Sequence, residues 1–189
     1  GGKLSEAMEV YEEMLRRRWV SPGIYYEIGL IHKANMEQSD SQREVAVASG
    51  RNSEAVYAAS QRDTAAKLAR KAFAKSLELA PTFIEALSEL FELELKEKNI
   101  AAAKKLLEPF VREVDKSEQL LLLRARAALA EGKRELAEAD LEKALEINPR
   151  FYSAYWWLAS LYLESGDLPG TLRRLDAMLQ TNPRDVKAL

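Results

Sequence analysis

The chain has 189 residues, of which 47% are hydrophobic and 31% charged, enough for the packed core of an ordinary soluble protein. The net charge of −2 offers no basic field for nucleic acid or anionic lipid. With no cysteine and one histidine, the chain lacks disulfides, thiolate metal sites and the ligands of a typical zinc site.

No apolar run reaches the roughly 18 residues needed to span a bilayer, so we expect no membrane insertion in this segment. The cytoplasm and the periplasm are both compatible with this composition. The sequence also lacks a glycine-rich phosphate loop, a nucleophile elbow and a calcium loop. We therefore expect no catalytic residues, no cofactor and no metal.

Turn residues recur at a spacing of 34 residues: Pro81 is followed at that interval by Asp115, Pro149 and Pro183. A fixed period of this length is typical of arrays of antiparallel helix pairs. It predicts an all-α fold and one continuous solenoid domain over 1–189.

The period divides the chain into successive units. The predicted parts are a closing helix of an incomplete unit at 3–18, a unit at 22–83 with an insert at 37–63, units at 84–117, 118–151 and 152–185, and the start of a further helix at 186–189. Solenoids need polar caps at their ends, and neither end here has one. We interpret the chain as a segment of a longer array whose end faces are expected to self-associate.

The insert at 37–63 has two interpretations. A mobile loop fits the polar stretch EQSDSQRE. A protruding hairpin, which we favour, lengthens both flanking helices by about 14 residues, or roughly 20 Å, around a turn at 49–52. Heptad-like steps then predict a seam of Ile24, Ile28, Ile31, Asn35, Gln38, Gln42 and Val45 facing Ala55, Ala59, Arg62, Ala66, Ala69, Phe73 and Ser76.

Several local signals fall in the later units. Pro109 is expected to kink or end its helix near Glu108, because proline lacks an amide proton and crowds the preceding turn. Gly166 suits a left-handed helix cap, and Asp167 suits the N-cap of the next helix. That last helix is expected to have an apolar stripe of Leu168, Leu172, Leu175 and Leu179, and Glu92, Glu94 and Glu97 are expected to be solvated.

The last unit resembles the tetratricopeptide repeat family, whose opening helix reads W-x-x-L-G-x-x-Y. The matching places are taken by Tyr155, Leu158, Ala159 and Tyr162, and in the first full unit by Tyr25, Ile28, Gly29 and His32. Leu175 and Pro183 match later places, whereas Thr171 departs from the expected alanine. The resemblance implies a right-handed superhelical solenoid of antiparallel helix pairs. His32, at a tyrosine place, is expected to be a packed, hydrogen-bonded residue rather than a catalyst.

In this family the opening helices line a concave groove that holds partner peptides. By resemblance, the partner-binding groove here comprises Tyr26, Leu30, Lys33, Ser88, Glu92, Leu95, Leu122, Arg126, Leu129, Trp156, Ser160 and Leu163. The lysine, asparagine and arginine clamp of chaperone-tail binders is absent, since Tyr26, Leu30 and Leu122 stand on the corresponding faces. The expected partner is thus an apolar or amphipathic segment of another protein.

The function expected from these features is a non-enzymatic scaffold for protein–protein interaction, with the hairpin as a second contact surface. An alternative is a regulatory or substrate-presenting arm of a larger enzyme or envelope secretion machine, with the catalytic or membrane part outside this segment. RNA binding by a pentatricopeptide-like array is disfavoured by the charge balance and the 34-residue period.

Overall fold

A computed structural model describes residues 2–181, which are all-α as the sequence predicts: the nine α-helices of this part are joined by turns and two short 3-10 helices. The helices are α1 (Gly2–Arg16), α2 (Pro22–Ala48), α3 (Asn52–Leu79), α4 (Ile84–Lys96), α5 (Ile100–Lys105), α6 (Glu118–Ala130), α7 (Arg134–Ile147), α8 (Tyr152–Glu164) and α9 (Leu168–Thr181).

The chain forms two compact units that divide between Leu93 and Glu94, inside α4. The single solenoid domain over 1–189 therefore stays a prediction. The predicted helix start at 186–189 and the last repeat turn at Pro183 lie outside the described residues.

In the first unit, residues 37–63 are helical apart from a short turn at 49–51 between α2 and α3. Helix α2 begins at a capped end, where the Ser21 hydroxyl accepts a hydrogen bond from the Ile24 amide at 3.2 Å and Pro22 occupies the first turn. The turn contains Gly50 with a φ of 68°, and the Arg51 amide donates to the Ala46 carbonyl at 2.9 Å. This geometry reverses the chain sharply.

Small side chains let α2 and α3 pack closely. Phe73 is fully buried against Gly29, and the buried Ser76 hydroxyl donates to the Pro22 carbonyl at 2.8 Å. Towards the turn, the buried residues are Ser39, Ala46, Ala55 and Ala58, and Arg62 pairs with Asp40 at 3.4 Å. Large apolar residues such as Met36 and Phe73 are thus buried in the inner part of the pair, and mainly alanine- and serine-sized contacts hold its outer part.

The predicted seam is right at five of its seven positions on α3, where Ala59 and Arg62 are only half-buried, and it is wrong on the outer part of α2. Ala55, Ala66, Ala69, Phe73 and Ser76 are buried, whereas on α2 Gln38, Gln42 and Val45 are exposed. The buried residues there are Met36, Ser39 and Ala46. Steps of 3.5 residues drift by about 20° per heptad from a straight helix of 3.6 residues per turn, so a heptad count gradually departs from the contact line of a long straight helix.

His32 lines an open cavity of about 610 Å³ between α1, α2 and α3. Apolar side chains of Met8, Leu15 and Ile28 line the same cavity, with Glu12 on α1. The predicted hydrogen bond is wrong, because His32 makes none within residues 2–181. The side chain is only half-buried, since the open cavity lies beside it. Burial lowers the pKa of His32, and the Glu12 carboxylate opposes this only in part.

In the second unit, three turns at an interval of 34 residues share one backbone conformation. Lys98, Gly132 and Gly166 have φ angles of 59°, 75° and 76°. After each of them, the next amide donates to a carbonyl five residues back: Asn99 to Glu94 at 2.8 Å, Lys133 to Ala128 at 2.8 Å and Asp167 to Tyr162 at 2.9 Å. The repeat thus fixes a left-handed residue at each turn, which glycine tolerates better than lysine.

Helix α5 ends earlier than predicted. Its last residue is Lys105, three before Glu108, and Pro109 lies in a 3-10 helix at Glu108–Phe110. A proline ring collides with the carbonyl four residues earlier, which is that of Lys105. The helix therefore stops where this collision begins.

Helix α9 keeps only part of the predicted leucine stripe, since Leu175 and Leu179 are half-buried. Gly170, Thr171 and Met178 are buried, whereas Leu168 and Leu172 are exposed. Asp167 caps the helix as predicted, since its carboxylate accepts from the Gly170 amide at 2.9 Å. Thr171, at the alanine place, hydrogen-bonds its hydroxyl to the Asp167 carbonyl at 3.0 Å. A side chain at Gly170 would collide with the capping Asp167 carboxylate and press on the Tyr162 ring of α8, so this position needs glycine.

Two buried carboxylates escape sequence analysis. Asp140 accepts from Nε and Nη2 of Arg124 at 2.8 and 2.6 Å, and this pairing raises the pKa of Arg124. Glu94 is 5% exposed, so its expected solvation is wrong. Its carboxylate accepts from the Asn99 amide group at 2.9 Å, which compensates part of its desolvation.

We expect Lys98→Gly to raise the free energy of unfolding by about 0.5–1 kcal/mol. The left-handed conformation costs a non-glycine residue roughly 1–2 kcal/mol, and the larger conformational entropy that glycine loses on folding offsets part of this gain. Gly132→Ala, where an added Cβ meets nothing within 4 Å, should lose about 1 kcal/mol by the same backbone term. Urea unfolding measures both. A Lys98→Gly protein no more stable than the parent would contradict the shared turn conformation.

Gly29→Ala should destabilise the first unit by about 1–3 kcal/mol, because its Cβ would lie 2.4 Å from the Phe73 ring. The matched control is Gly23→Ala in the first turn of the same helix, where the nearest atom is 3.9 Å away. That change should be neutral or slightly stabilising. Equal unfolding midpoints for the two variants would rule out the close contact.

Stability should fall as the pH drops below about 6.5, the ordinary pKa of histidine, because the unfolded chain binds a proton that the folded His32 resists. His32→Phe should flatten this dependence. Urea midpoints at about pH 7.5 and 5.5 for both proteins give the comparison. An unchanged pH slope in His32→Phe would show that other groups cause it.

Candidate interaction surface

The twelve predicted groove residues lie in threes on α2, α4, α6 and α8, and the structure buries none of them. Ser160 and Leu163 are exposed, and the other ten are half-buried. The set comprises Tyr26, Leu30, Lys33, Ser88, Glu92, Leu95, Leu122, Arg126, Leu129, Trp156, Ser160 and Leu163. Each helix also carries fully buried residues one or two positions away, so its inner and outer faces are distinct.

On α2, Tyr26 is anchored by aromatic rings of its own unit. Its ring centre lies 6.0 Å from that of Phe73 and 5.2 Å from that of Phe83, both tilted. Burial, with the nearby carboxylates second, raises the pKa of Tyr26. The phenol is therefore a fixed, neutral group at the surface rather than a mobile one.

An ion pair joins α2 to α4 beside this tyrosine. The Lys33 ammonium lies 2.5 Å from a carboxylate oxygen of Glu89, and both side chains are about a quarter to a third exposed. The hydroxyl of Ser88, next along α4, donates to the Ile84 carbonyl of its own helix at 2.8 Å. The polar groups here are thus largely satisfied before any partner arrives.

On α6, the guanidinium of Arg126 lies over the ring of Trp157 on α8, 4.8 Å from its centre. Burial lowers the pKa of Arg126, which stays charged because an arginine begins so far above neutrality. Cation–π stacking holds the side chain flat against α8. Leu122 and Leu129, on the same helix, remain half-buried.

On α8, neighbouring aromatic residues have different environments. Tyr155 is buried, and its hydroxyl donates to the Pro149 carbonyl at 3.2 Å, whereas Trp156 is only half-buried. The helical step of 100° separates them, as the sequence predicts. Leu163, two turns beyond Trp156, is 56% exposed. An apolar strip therefore runs along the outer face of α8.

Sequence reasoning missed the residues that hold this surface in place. Glu89 lies 56 positions from Lys33, so their pairing depends on how two helices dock. Trp157 follows the predicted Trp156 directly, and its place in the aromatic run was the available signal. The contact with Arg126 follows only from the side-by-side packing of α6 and α8.

The described residues offer no site for a metal or a lipid span. No three His, Cys, Asp or Glu side chains within 2–181 are arranged to hold a metal ion. None of the helices in this part combines the length and the apolar character needed to cross a membrane.

Residues 128–189 match the tetratricopeptide repeat family. A comparison with curated proteins gives no match. Similar solved structures include TTC0263, a thermophilic TPR protein of Thermus thermophilus, with 18% identity, 98% and 94% coverage of this chain and that one, and a TM-score of 0.59.

A second similar structure is residues 41 to the end of MamA from Desulfovibrio magneticus RS-1, with 18% identity, 98% coverage of each chain and a TM-score of 0.51. The Cut9–Hcn1 hetero-tetramer of the APC/C is similar at 12% identity, covering 99% of this chain and 45% of that one, with a TM-score of 0.51. At these identities the likeness concerns the fold. Together with the family match, it supports the resemblance seen in the sequence: residues 128–189 match tetratricopeptide repeats, and the described chain shares the fold of such proteins.

Proposed function

We propose that this chain is a non-enzymatic scaffold that binds an apolar or amphipathic segment of another protein along the outer faces of its opening helices. The observation that carries the proposal is the exposure of large apolar residues on α8 beside a well-filled core. Trp156 and Leu163 remain accessible, whereas Leu158 and Leu161 of the same helix are buried. Exposed apolar strips with polar rims commonly mark interaction sites.

The fixed charged groups beside the strip support the same proposal. Arg126 is already desolvated and held against Trp157, and Lys33 is held by Glu89. Preorganised side chains lose little entropy on binding, so they favour a defined partner segment. Tryptophan and arginine are also the residues that most often dominate interface energies.

The chemistry of these faces indicates the kind of partner. Leu122, Leu129 and Trp156 offer apolar contacts on α6 and α8, and the guanidinium of Arg126 lies beside them. An amphipathic helix or an extended apolar segment with a carboxylate would match this pattern. The Cut9–Hcn1 hetero-tetramer provides a precedent for this fold in a protein assembly.

The proposal predicts that binding depends on residues of α6 and α8 and not on apolar surface in general. Peptides selected from a displayed random library on the wild-type chain should bind Trp156→Ala and Leu129→Glu at least about tenfold more weakly, as hot-spot losses do. Fluorescence anisotropy with labelled peptide measures the affinities, and far-UV circular dichroism should show unchanged helicity.

Two matched variants control for the chemistry of these changes. Trp19→Ala and Leu172→Glu alter residues that are 59% and 61% exposed, outside the proposed surface. Both should bind the selected peptides like the wild-type chain. If all four variants bind equally, the outer faces of α6 and α8 are not the binding surface.

Self-association through the end faces of the chain is a separate part of the proposal. Its support is the apolar surface left at the edge of the described helices, such as Val10 on α1 and Leu172 on α9. It needs no partner protein and is therefore testable on the purified chain alone.

A further inference from the structure

Helix α1 lies against the rest of its unit on one side only. Met8, Glu12 and Leu15 line the cavity shared with α2 and α3, yet no residue of α1 is buried. The other side of the helix forms a second, shallow cavity of about 620 Å³. Its lining residues are Glu6, Glu9, Val10, Glu13, Met14, Arg16, Arg17 and Trp19.

This outer side has an apolar centre. Val10 and Trp19 are 54% and 59% exposed, and Met14 lies between them in sequence, one turn from Val10. Val10 and Met14 are four residues apart and form a short stripe along α1, and Trp19 follows beyond the helix end at Arg16. A stripe of this kind is suited to another helix packed alongside.

The charges along the stripe are divided by position. Carboxylates occupy its beginning and middle, at Glu6, Glu9 and Glu13, and guanidiniums occupy its end, at Arg16 and Arg17. Glu13 pairs with Nε of Arg16 and of Arg17 at 2.8 and 2.7 Å, which lowers its pKa. Within residues 2–181, Glu6 and Glu9 form no ion pair. In the described part of the chain, these two carboxylates are therefore left without a cationic partner.

We propose that the outer side of α1 pairs with α1 of a second copy of this chain in antiparallel orientation. When the two-fold axis of an antiparallel pair lies between positions 11 and 12, residues whose numbers add up to 23 lie opposite each other. Glu6 of each copy therefore lies opposite Arg17 of the other copy. Val10 and Met14 of both copies then meet at the centre. A parallel pair would instead bring like charges together, which costs energy at both ends.

This arrangement satisfies its own symmetry. The same patch on both copies makes the contact, and each Glu6–Arg17 pair occurs twice, as in other two-fold interfaces. Arg17 donates to Glu13 through Nε, which leaves its terminal nitrogens as donors for a second carboxylate. The inference rests on the proposed self-association and gives it a surface and a geometry.

Charge reversal on the full chain tests this pairing by sedimentation velocity over a range of concentrations. Glu6→Arg alone and Arg17→Glu alone should each weaken the dimer by about tenfold, because two attractive pairs become repulsive. An equimolar mixture of the two single variants should form a heterodimer of wild-type affinity. The double variant should also dimerise like the wild type. Glu146→Arg, an exposed reversal on α7, is the matched control and should have no effect.

The possible results distinguish the α1 pairing from self-association of the chain in general. A wild-type chain that stays monomeric at high concentration overturns both the α1 pairing and self-association. A dimer that resists both single reversals, or single variants that fail to complement each other in the mixture, overturns only the α1 pairing. Circular dichroism of each variant shows whether the fold is kept. Peptide binding on α6 and α8 is unaffected by any of these results.

Discussion

The close approach of paired helices through small residues is the constraint on which the rest of the structure depends. Gly29 admits the ring of Phe73, and Gly170 brings the start of α9 close to α8. At such a contact only a narrow line of each helix is buried. Large apolar residues one step, about 100°, from that line are therefore left outside it.

This division accounts for the surface features of both units. On α8 the buried line contains Leu158 and Leu161, and Trp156 falls outside it. On α9 the line contains Thr171 and Met178, and Leu172 falls outside. Because glycine, alanine and threonine occupy many of the helix contacts, some leucine and tryptophan side chains lie on other surfaces. The proposed binding faces are thus a consequence of how the pairs pack.

Most of the fold can be predicted from the 34-residue spacing and the turn glycines, because both are local signals in the sequence. Gly132 and Gly166 have the left-handed conformation that their turns require, and the helices of the regular units lie where the period puts them. The errors arose where a non-local contact decides. The outer seam of α2 followed a heptad count that a straight helix does not keep, and Glu94 was assigned to solvent although Asn99 folds back on it.

The groove residues were obtained by resemblance, and their exposure in each helix is compatible with that assignment. What the sequence could not provide is the set of contacts that fixes them, such as Lys33 with Glu89 and Arg126 with Trp157. These pairs join helices distant in sequence, so no periodic pattern encodes them. The same holds for the pair of Arg124 and the buried Asp140, which are only 16 positions apart but on different helices.

The most direct measurement is the solvent exposure of Trp156 in solution. The chain has three tryptophans, so labelling with 5-fluorotryptophan gives three fluorine resonances, and Trp156→Phe assigns the one of interest. We expect the Trp156 resonance to show a clear solvent isotope shift in the unbound protein, smaller than that of the more exposed Trp19, and to lose it when a selected peptide binds, while Trp19 keeps its shift. A Trp156 resonance already shielded from solvent in the unbound protein would contradict an outer face available to a partner.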